Sequence, residues 1–374
     1  MSYQINGSTA IGNDRQGTFN QVNPGVYTSN PGGAGTGDIY FNSSTKKMMA
    51  FNGSSWVDMT GVGLTTGYPE ITASAADVHV EDTTDTNGYK WRKALFYTSG
   101  TLTVTSISSN QDLNIIQYFL CGGGGGGCIG SGGGGGGGVI EGQTSLSDEN
   151  PVIVVTVGAG GAGGSNENSG AGGYSQVLNV RAPGGGAGRR YQNDVATNGG
   201  SGGGSNGLPN YIEGTNYPAL ITCQGNPGGY AAINSSGKNT WIMGGGGGAG
   251  EAGTNATSSR AGNGGRGVNG PHWARPDLGF GSGGGGGGEG GAYHGGKWTI
   301  GLGGEQGGGN GGSGLTVNGN NGVIETYPTP GTSPRGGGGG GGSWAANNAA
   351  ASNVQTANGA AGGGGFVGVR WRVA

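Results

Sequence analysis

Few residues in this chain have the type and spacing that chemistry needs. His79, His272 and His294 could move protons or hold a metal, but they lie far apart and none has a partner at zincin spacing. The stretch "GAYHGGKWT" (residues 291–299) has the G-x-x-x-x-G-K skeleton of a phosphate-binding loop, with Trp298 where Ser or Thr would hold magnesium. In a chain with 101 glycines among 374 residues, that skeleton and G-x-G-x-x-G matches arise by chance. In "EDTTDTNG" (residues 81–88), Asp82, Asp85 and Asn87 lack the alternating ladder and closing Glu of a calcium loop. The pair Asp148 and Glu149 sits in a turn. Cys121, Cys128 and Cys223 form no disulfide framework. A straight segment from Cys121 to Cys128 at ~3.1 Å per residue spans about 22 Å, beyond the ~7 Å Cα limit for a bridge. Both are read as small buried thiols. No catalysis, cofactor or metal is expected.

Binding chemistry is better represented. Tyr191, Tyr211, Tyr217, Trp273, Tyr293, Trp298 and Tyr327 fall in segments rich in Asn, Gln, Ser and Thr between glycine runs. Rings stack on apolar faces while amides and hydroxyls form hydrogen bonds, so such segments suit a surface glycan or an outer-membrane protein. The competing reading makes each ring a lid over the ends and flanks of a glycine-rich scaffold.

The elements that would hold these segments have an unusual composition. Fourteen glycines lie in residues 1–120 and the other 87 in the 254 residues from Cys121 onward. Charged residues are 10 % and apolar residues 31 % of the chain, against the roughly 25 % charge usual in globular proteins. A core of packed Leu, Ile and Val is therefore excluded after Cys121, and order there must come from the backbone. Pure or nearly pure glycine fills residues 122–127, 132–138, 244–248, 283–288, 336–342 and 362–365. These runs are similar in length and nearly free of Ser, unlike flexible linkers. They lack the G-X-Y period of collagen. The alternative is polyglycine-II, a left-handed threefold helix whose N–H and C=O groups point outward to neighbouring helices. Adjacent helices approach closely only where no Cβ intervenes. Each N–H···O bond contributes ~1 kcal/mol against the entropy of ordering glycine.

Strands frame these runs. Stretches 93–108, 113–121 and 151–164 are apolar and β-prone, and two of them run directly into glycine. "FVGVRWRVA" closes the chain with Val367, Val369, Trp371 and Val373 alternating against Gly368, Arg370 and Arg372. Near the start, "GDIYFNSSTKKMMAFNGSSWVDM" (residues 37–59) predicts strands over 38–41, 47–51 and 55–59, with Asn52-Gly53 as a hairpin turn. Alternation there puts Ile39 and Phe41 on one face. The chain thus divides into an N-terminal β module (1–60), a polar linker or small β region (61–94) and a glycine-rich domain (95–374). The fold class is mostly β and irregular, with small N-terminal β modules and a strand-bounded polyglycine-II bundle carrying exposed loops.

A net charge of −3 and the lack of a basic run argue against nucleic acid as a partner. No apolar stretch approaches the ~18 residues of a membrane span. The first residues lack the regions of a secretory signal, so the protein is expected to be synthesised in a cytoplasm and to leave it as part of something larger.

The strand–glycine block–island order, "VTVGAGGAGG" and the "GGGGFVGVRWR" finish resemble the glycine-rich domains of bacteriophage tail fibres and distal adhesins. The 37–59 stretch is similar to short β modules of phage appendage proteins. This resemblance implies a virion protein whose glycine helices form a rigid sandwich and whose loops grip a host receptor. It also implies that the N-terminal region joins other virion or tail proteins and that the fibre is a homotrimer. A purely architectural appendage or capsid fibre is the alternative. Ice binding is the remote one, since the islands are long and irregular where a flat face would be needed.

Overall fold

In a computed structural model the described residues are 3–5, 8–11, 25–36, 38–51, 53–58, 63–65, 67–80, 85–130, 132–147, 151–165, 169–188, 200–204, 225–234, 240–274, 279–280, 289–292, 300–305, 308, 313–316, 322–333, 335–341, 343–345 and 355–373. The fold is mostly strand and irregular segment. Among the described residues the one helical element is the turn Gln111–Leu113, capped by the Asn110 side chain. The chain forms two compact units, Met1–Leu64 and Thr65–Ala374.

The first unit contains a four-stranded sheet, Gly25–Tyr27, Ile39–Asn42, Lys47–Phe51 and Trp56–Asp58. The first pair is parallel and the other two are antiparallel. The turn between the second and third strands is held by Asn42, whose Oδ1 accepts the N–H groups of Ser44 and Thr45, each at 3.0 Å. Lys46 closes it at φ 58° and Gly53 turns the next hairpin at φ 98°. Alternation is present, with Ile39 and Phe41 on the face opposite the buried one. Ile39 is 43 % exposed whereas Tyr40 is 1 % exposed. Tyr40 meets Tyr27 and Trp56 edge-on at 5.7 and 4.7 Å between centroids, and its hydroxyl binds Asn30 and Asn42. Three rings and a satisfied hydroxyl form a larger contact than Ile39 and Phe41 can.

In the second unit a five-stranded antiparallel sheet runs Val139–Ser145, Ile115–Cys121, Phe366–Arg372, Trp91–Phe96, Asp77–Val80. The stretch 93–108 is broken at Tyr97–Ser99 into Trp91–Phe96 and Gly100–Ser108. Gly100–Ser108 is flanked in a second sheet by Glu70–Ser74 and Val152–Val155. One face of the first sheet buries Ala94, Phe96, Ile116, Tyr118, Leu120, Val367, Val369 and Trp371, and the second buries Ile71, Leu102, Val104, Ile153 and Val155. They approach closely where a Cβ on Gly100 would stand 3.0 Å from Phe96. On the other face of the first sheet, Leu95, Phe119, Cys121, Val139 and Phe366 pack with Ala249, Trp273, Ala274 and Phe280.

Three adjacent strands of that sheet, Val139–Ser145, Ile115–Cys121 and Phe366–Arg372, join glycine runs directly. Cys121 opposes Val139 and Phe366. Beyond them Gly122 donates to Gly138 at 3.0 Å and Gly125 to Gly135 at 2.8 Å. On the other side Gly124 donates to Gly363 and Gly127 to Ala360, both at 2.9 Å. The antiparallel register of the sheet runs on, but only every third N–H now points at a given neighbour. That period of three is the signature of a threefold extended segment.

The remaining groups of 122–127 reach other neighbours. Gly123 and Gly126 donate to Gly173 and Gly170, both at 2.9 Å. The carbonyls of Gly123 and Gly126 accept from Gly185 and Gly188, those of Gly124 and Gly127 from Gly161 and Gly164, and that of Gly125 from Gly339. Residues 122–127 are thus ringed by 132–138, 184–188, 170–173, 158–164, 359–363 and 336–340. The ring is itself closed by bonds such as Gly135 to Gly186, Gly172 to Gly185, Gly173 to Ala159, Gly362 to Gly161, Gly363 to Gly337 and Gly134 to Gly339. A Cβ on Gly124 would lie 2.1 Å from the Gly337 oxygen, so side chains are sterically excluded there. In 158–164, at the periphery, residues 158, 161 and 164 are buried while Ala159 and Ala162 are exposed. In this segment alanine stands where a position of the threefold segment faces water. Cys121 and Cys128, at the two ends of 122–127, are both buried, and the Cys121 thiol donates to the carbonyls of Gly122 and Arg335, each at 3.3 Å. Cys223 lies outside the described residues.

Candidate functional site

The predicted ring set is divided by the structure. Tyr191, Tyr211, Tyr217, Tyr293 and Trp298 lie outside the described residues, as do His294 and the Asp148–Glu149 pair. Tyr327 is 67 % exposed, whereas Trp273 is 8 % exposed and belongs to the core beneath the sheet. Trp273 therefore fits the lid reading. Asp85, considered for calcium, is engaged by protein donors. Its Oδ1 accepts from Asn87 and Tyr89 at 2.9 and 3.0 Å, and its Oδ2 from Trp91 Nε1 at 2.8 Å. These bonds, the Trp91 one foremost, hold its carboxyl below the usual value, and Arg372 adds in the same direction. Among the described residues no group of three His, Cys, Asp or Glu could hold a metal.

A constellation that residue-type searching missed lies on the sheet face away from the sandwich core. Period two turns Arg370 and Arg372 to the same side of the closing strand, with Trp91 and Lys93 opposite them on the neighbouring strand. The Arg372 guanidinium lies 3.9 Å from the Tyr89 centroid and 5.4 Å from that of Trp91. Arg370 lies 4.4 Å from Trp91 and 5.0 Å from Trp273. Rings and guanidinium groups therefore alternate as Tyr89, Arg372, Trp91, Arg370, Trp273. Arg stacks on ring faces while keeping planar donors at its edge.

Side-chain hydrogen bonds extend this row across the sheet. Arg370 Nε donates to Gln117 Oε1 at 2.7 Å, and Gln117 Nε2 donates to Gln143 Oε1 at 3.1 Å. Arg372 Nη1 donates to the Asp112 carbonyl at 2.6 Å, and Lys93 Nζ to the Trp273 carbonyl at 2.9 Å. Arg372 Nε is buried with no hydrogen-bond partner among the described residues. The alternation of Arg370 and Arg372 with Val369 and Trp371 was the sequence signal for this site. Its aromatic half comes from strand pairing and from Trp273, 97 residues before Arg370.

A smaller group of the same kind follows the segment 170–173. Arg181 lies 4.0 Å over the Tyr174 ring and donates twice to Gln176 Oε1, at 3.1 and 3.0 Å. Tyr174 is 42 % exposed. Both constellations combine a ring, a guanidinium group and an amide.

A family model described as a glycine-rich domain matches residues 97–372. No curated protein matches the chain.

Proposed function

We propose, for a chain that belongs to the glycine-rich domain family, that it is a bacteriophage tail fibre or adhesin binding a receptor on the host surface. The lattice in this reading is a polyglycine-II bundle, the N-terminal region joins other virion proteins, and the working form is a homotrimer. The observation that carries the proposal is the ring of six segments around residues 122–127, bonded through the backbone on every side. Such a lattice supplies a stiff frame without a side-chain core, and a stiff frame lets long segments rich in Tyr, Trp and Asn be held for contact with a surface. The proposal includes no enzymatic step and no cofactor. The ligand would be a surface glycan or an outer-membrane protein.

The test is adsorption of particles carrying the protein with Tyr191, Tyr211, Tyr217, Trp273, Tyr293, Trp298 and Tyr327 replaced. Because Trp273 is in the core, a second variant keeps it and replaces the other six. Lost adsorption with an unchanged melting temperature supports the reading; adsorption that survives in both variants overturns it. The burial of Trp273 favours the second reading, a purely architectural appendage, in which rings cover the lattice and bind nothing.

A further inference from the structure

We propose that the row Tyr89–Arg372–Trp91–Arg370–Trp273, with Lys93, Gln117 and Gln143 beside it, binds an acidic saccharide of the uronate type. Apart from Trp273, the site lies outside the segments proposed to meet the receptor, and it does not depend on that reading. Two guanidinium groups are stacked among three rings, at 3.9 to 5.4 Å from the ring centroids. Stacking covers the faces of each guanidinium and leaves hydrogen bonding to its edge, part of which is engaged by Gln117 at Arg370 Nε and by the Asp112 carbonyl at Arg372 Nη1, so the row attracts a carboxylate chiefly through its clustered positive charge. Arg370 and Arg372 are two residues apart on one strand, so their origins are separated by ~6.6 Å along it. Lys93 opposes Arg370 on the next strand. The three cations are half-buried, which strengthens their attraction for an anion relative to fully solvated side chains.

The amides point to sugar. From Arg370 the bonded pair Gln117 and Gln143 crosses two further strands, and Gln143 is exposed. Amides carry both donors and acceptors, as the hydroxyls of a saccharide require. Asp85 does not neutralise the row by a direct ion pair, since both of its oxygens face N–H groups of its own loop and of Trp91. Nucleic acid is disfavoured, because tight binding to a phosphate backbone takes many cations and this row has three in a chain of net charge −3.

The experiment is calorimetric titration of the full chain with polygalacturonate, using dextran as the neutral control. Polygalacturonate is expected to bind, more weakly as salt rises, and dextran not to bind. Arg372→Gln should weaken binding at least ~10-fold, the scale of losing one charge-assisted hydrogen bond. Since Arg372 also packs on Tyr89 and Trp91, and Lys93 also holds the Trp273 carbonyl, Gln143→Ala serves as the variant that leaves the ring stack in place; it and Lys93→Gln should each weaken binding severalfold. No binding of polygalacturonate overturns the proposal, as does binding unchanged in all three variants. Competition by inorganic phosphate as strong as that by galacturonate would make it a plain anion site, and equally tight single-stranded DNA would make it a general polyanion patch; either result overturns the saccharide assignment. Replacing Tyr191, Tyr211, Tyr217, Tyr293, Trp298 and Tyr327 should leave polygalacturonate binding intact, which separates this site from the receptor reading.

Discussion

Gly125 donates its N–H to the carbonyl of Gly135 at 2.8 Å, in the register that Cys121 and Val139 set at the end of the sheet. The lattice is thus an extension of the sheet by other means. A β-strand gives its hydrogen bonds to two neighbours, whereas a threefold segment distributes them to six. The strand pair fixes where the first glycines lie, and the glycines then need no side chains to find their partners. Ordering costs the most entropy for glycine, so the lattice holds only if its amides are paired.

Substitution inside the lattice should separate positions by geometry. A Cβ on Gly124 meets the Gly337 oxygen at 2.1 Å, while one on Gly364 meets nothing closer than the Ser333 hydroxyl at 3.2 Å. Gly124→Ala is expected to cost about 3 kcal/mol or more, at the upper end of overpacking. Gly364→Ala should cost less than about 1 kcal/mol, because the hydroxyl can give way. Equal denaturation midpoints for the two variants would contradict the packing described here.

The last glycine run completes the first. Gly124 and Gly127 donate to Gly363 and Ala360, and Phe366–Arg372 lies between two strands of the sheet. Ending the chain at residue 358 should therefore remove amide-exchange protection from residues 122–127 as well as from the strands it frames. Protection retained in 122–127 after that truncation would mean the central segment is held without its 359–363 neighbour.

The sequence foretold the order of glycine runs such as 122–127 and 132–138 because their length and purity have a physical reason: a segment surrounded on all sides excludes every Cβ; the run 283–288 lies outside the described residues. The sequence also marked the strands at Ile115–Cys121 and Phe366–Arg372, where β-branched and aromatic residues run into glycine. Alternation placed Ile39 and Phe41 on one face, as the strand has them, but which face is buried was not legible, because ring contacts and a bonded hydroxyl bury Tyr40 while Ile39 stays exposed. The guanidinium row was only half legible. Arg370 and Arg372 are visible as an alternating pair, but nothing local brings Trp273 to them. Long-range strand pairing does that, and it is encoded in no single window of sequence.

Ser175 fastens the sheet to the lattice and gives a sharp test of the junction. Its hydroxyl donates to the Cys121 carbonyl at 2.6 Å and accepts from the Gly158 N–H at 3.0 Å, with Ser175 fully buried. Ser175→Ala leaves a donor and an acceptor unpaired away from water, so a loss of about 3 kcal/mol is expected. Chemical denaturation measures it. A loss below about 0.5 kcal/mol would mean that the strand end and the 158–164 segment are held by other contacts.

Asp85 makes the sheet face beside the guanidinium row sensitive to acid. Its carboxyl is held below the ordinary value of 3.8 by the Trp91 indole N–H first, then by the N–H groups of Tyr89 and Asn87 and the charge of Arg372. A depressed folded-state pKa means that the unfolded chain binds the proton more readily. The stabilisation is therefore complete above the unfolded value and disappears as pH falls through the folded one. Asp85→Asn should lower stability at neutral pH, and its difference from the parent should shrink once the pH drops below 3.8. Denaturation midpoints of the two proteins measured across the acid range test this directly. A difference that stays constant down to the acid limit would assign the effect to the shape of the Asp85–Tyr89 loop and remove the charge from the explanation.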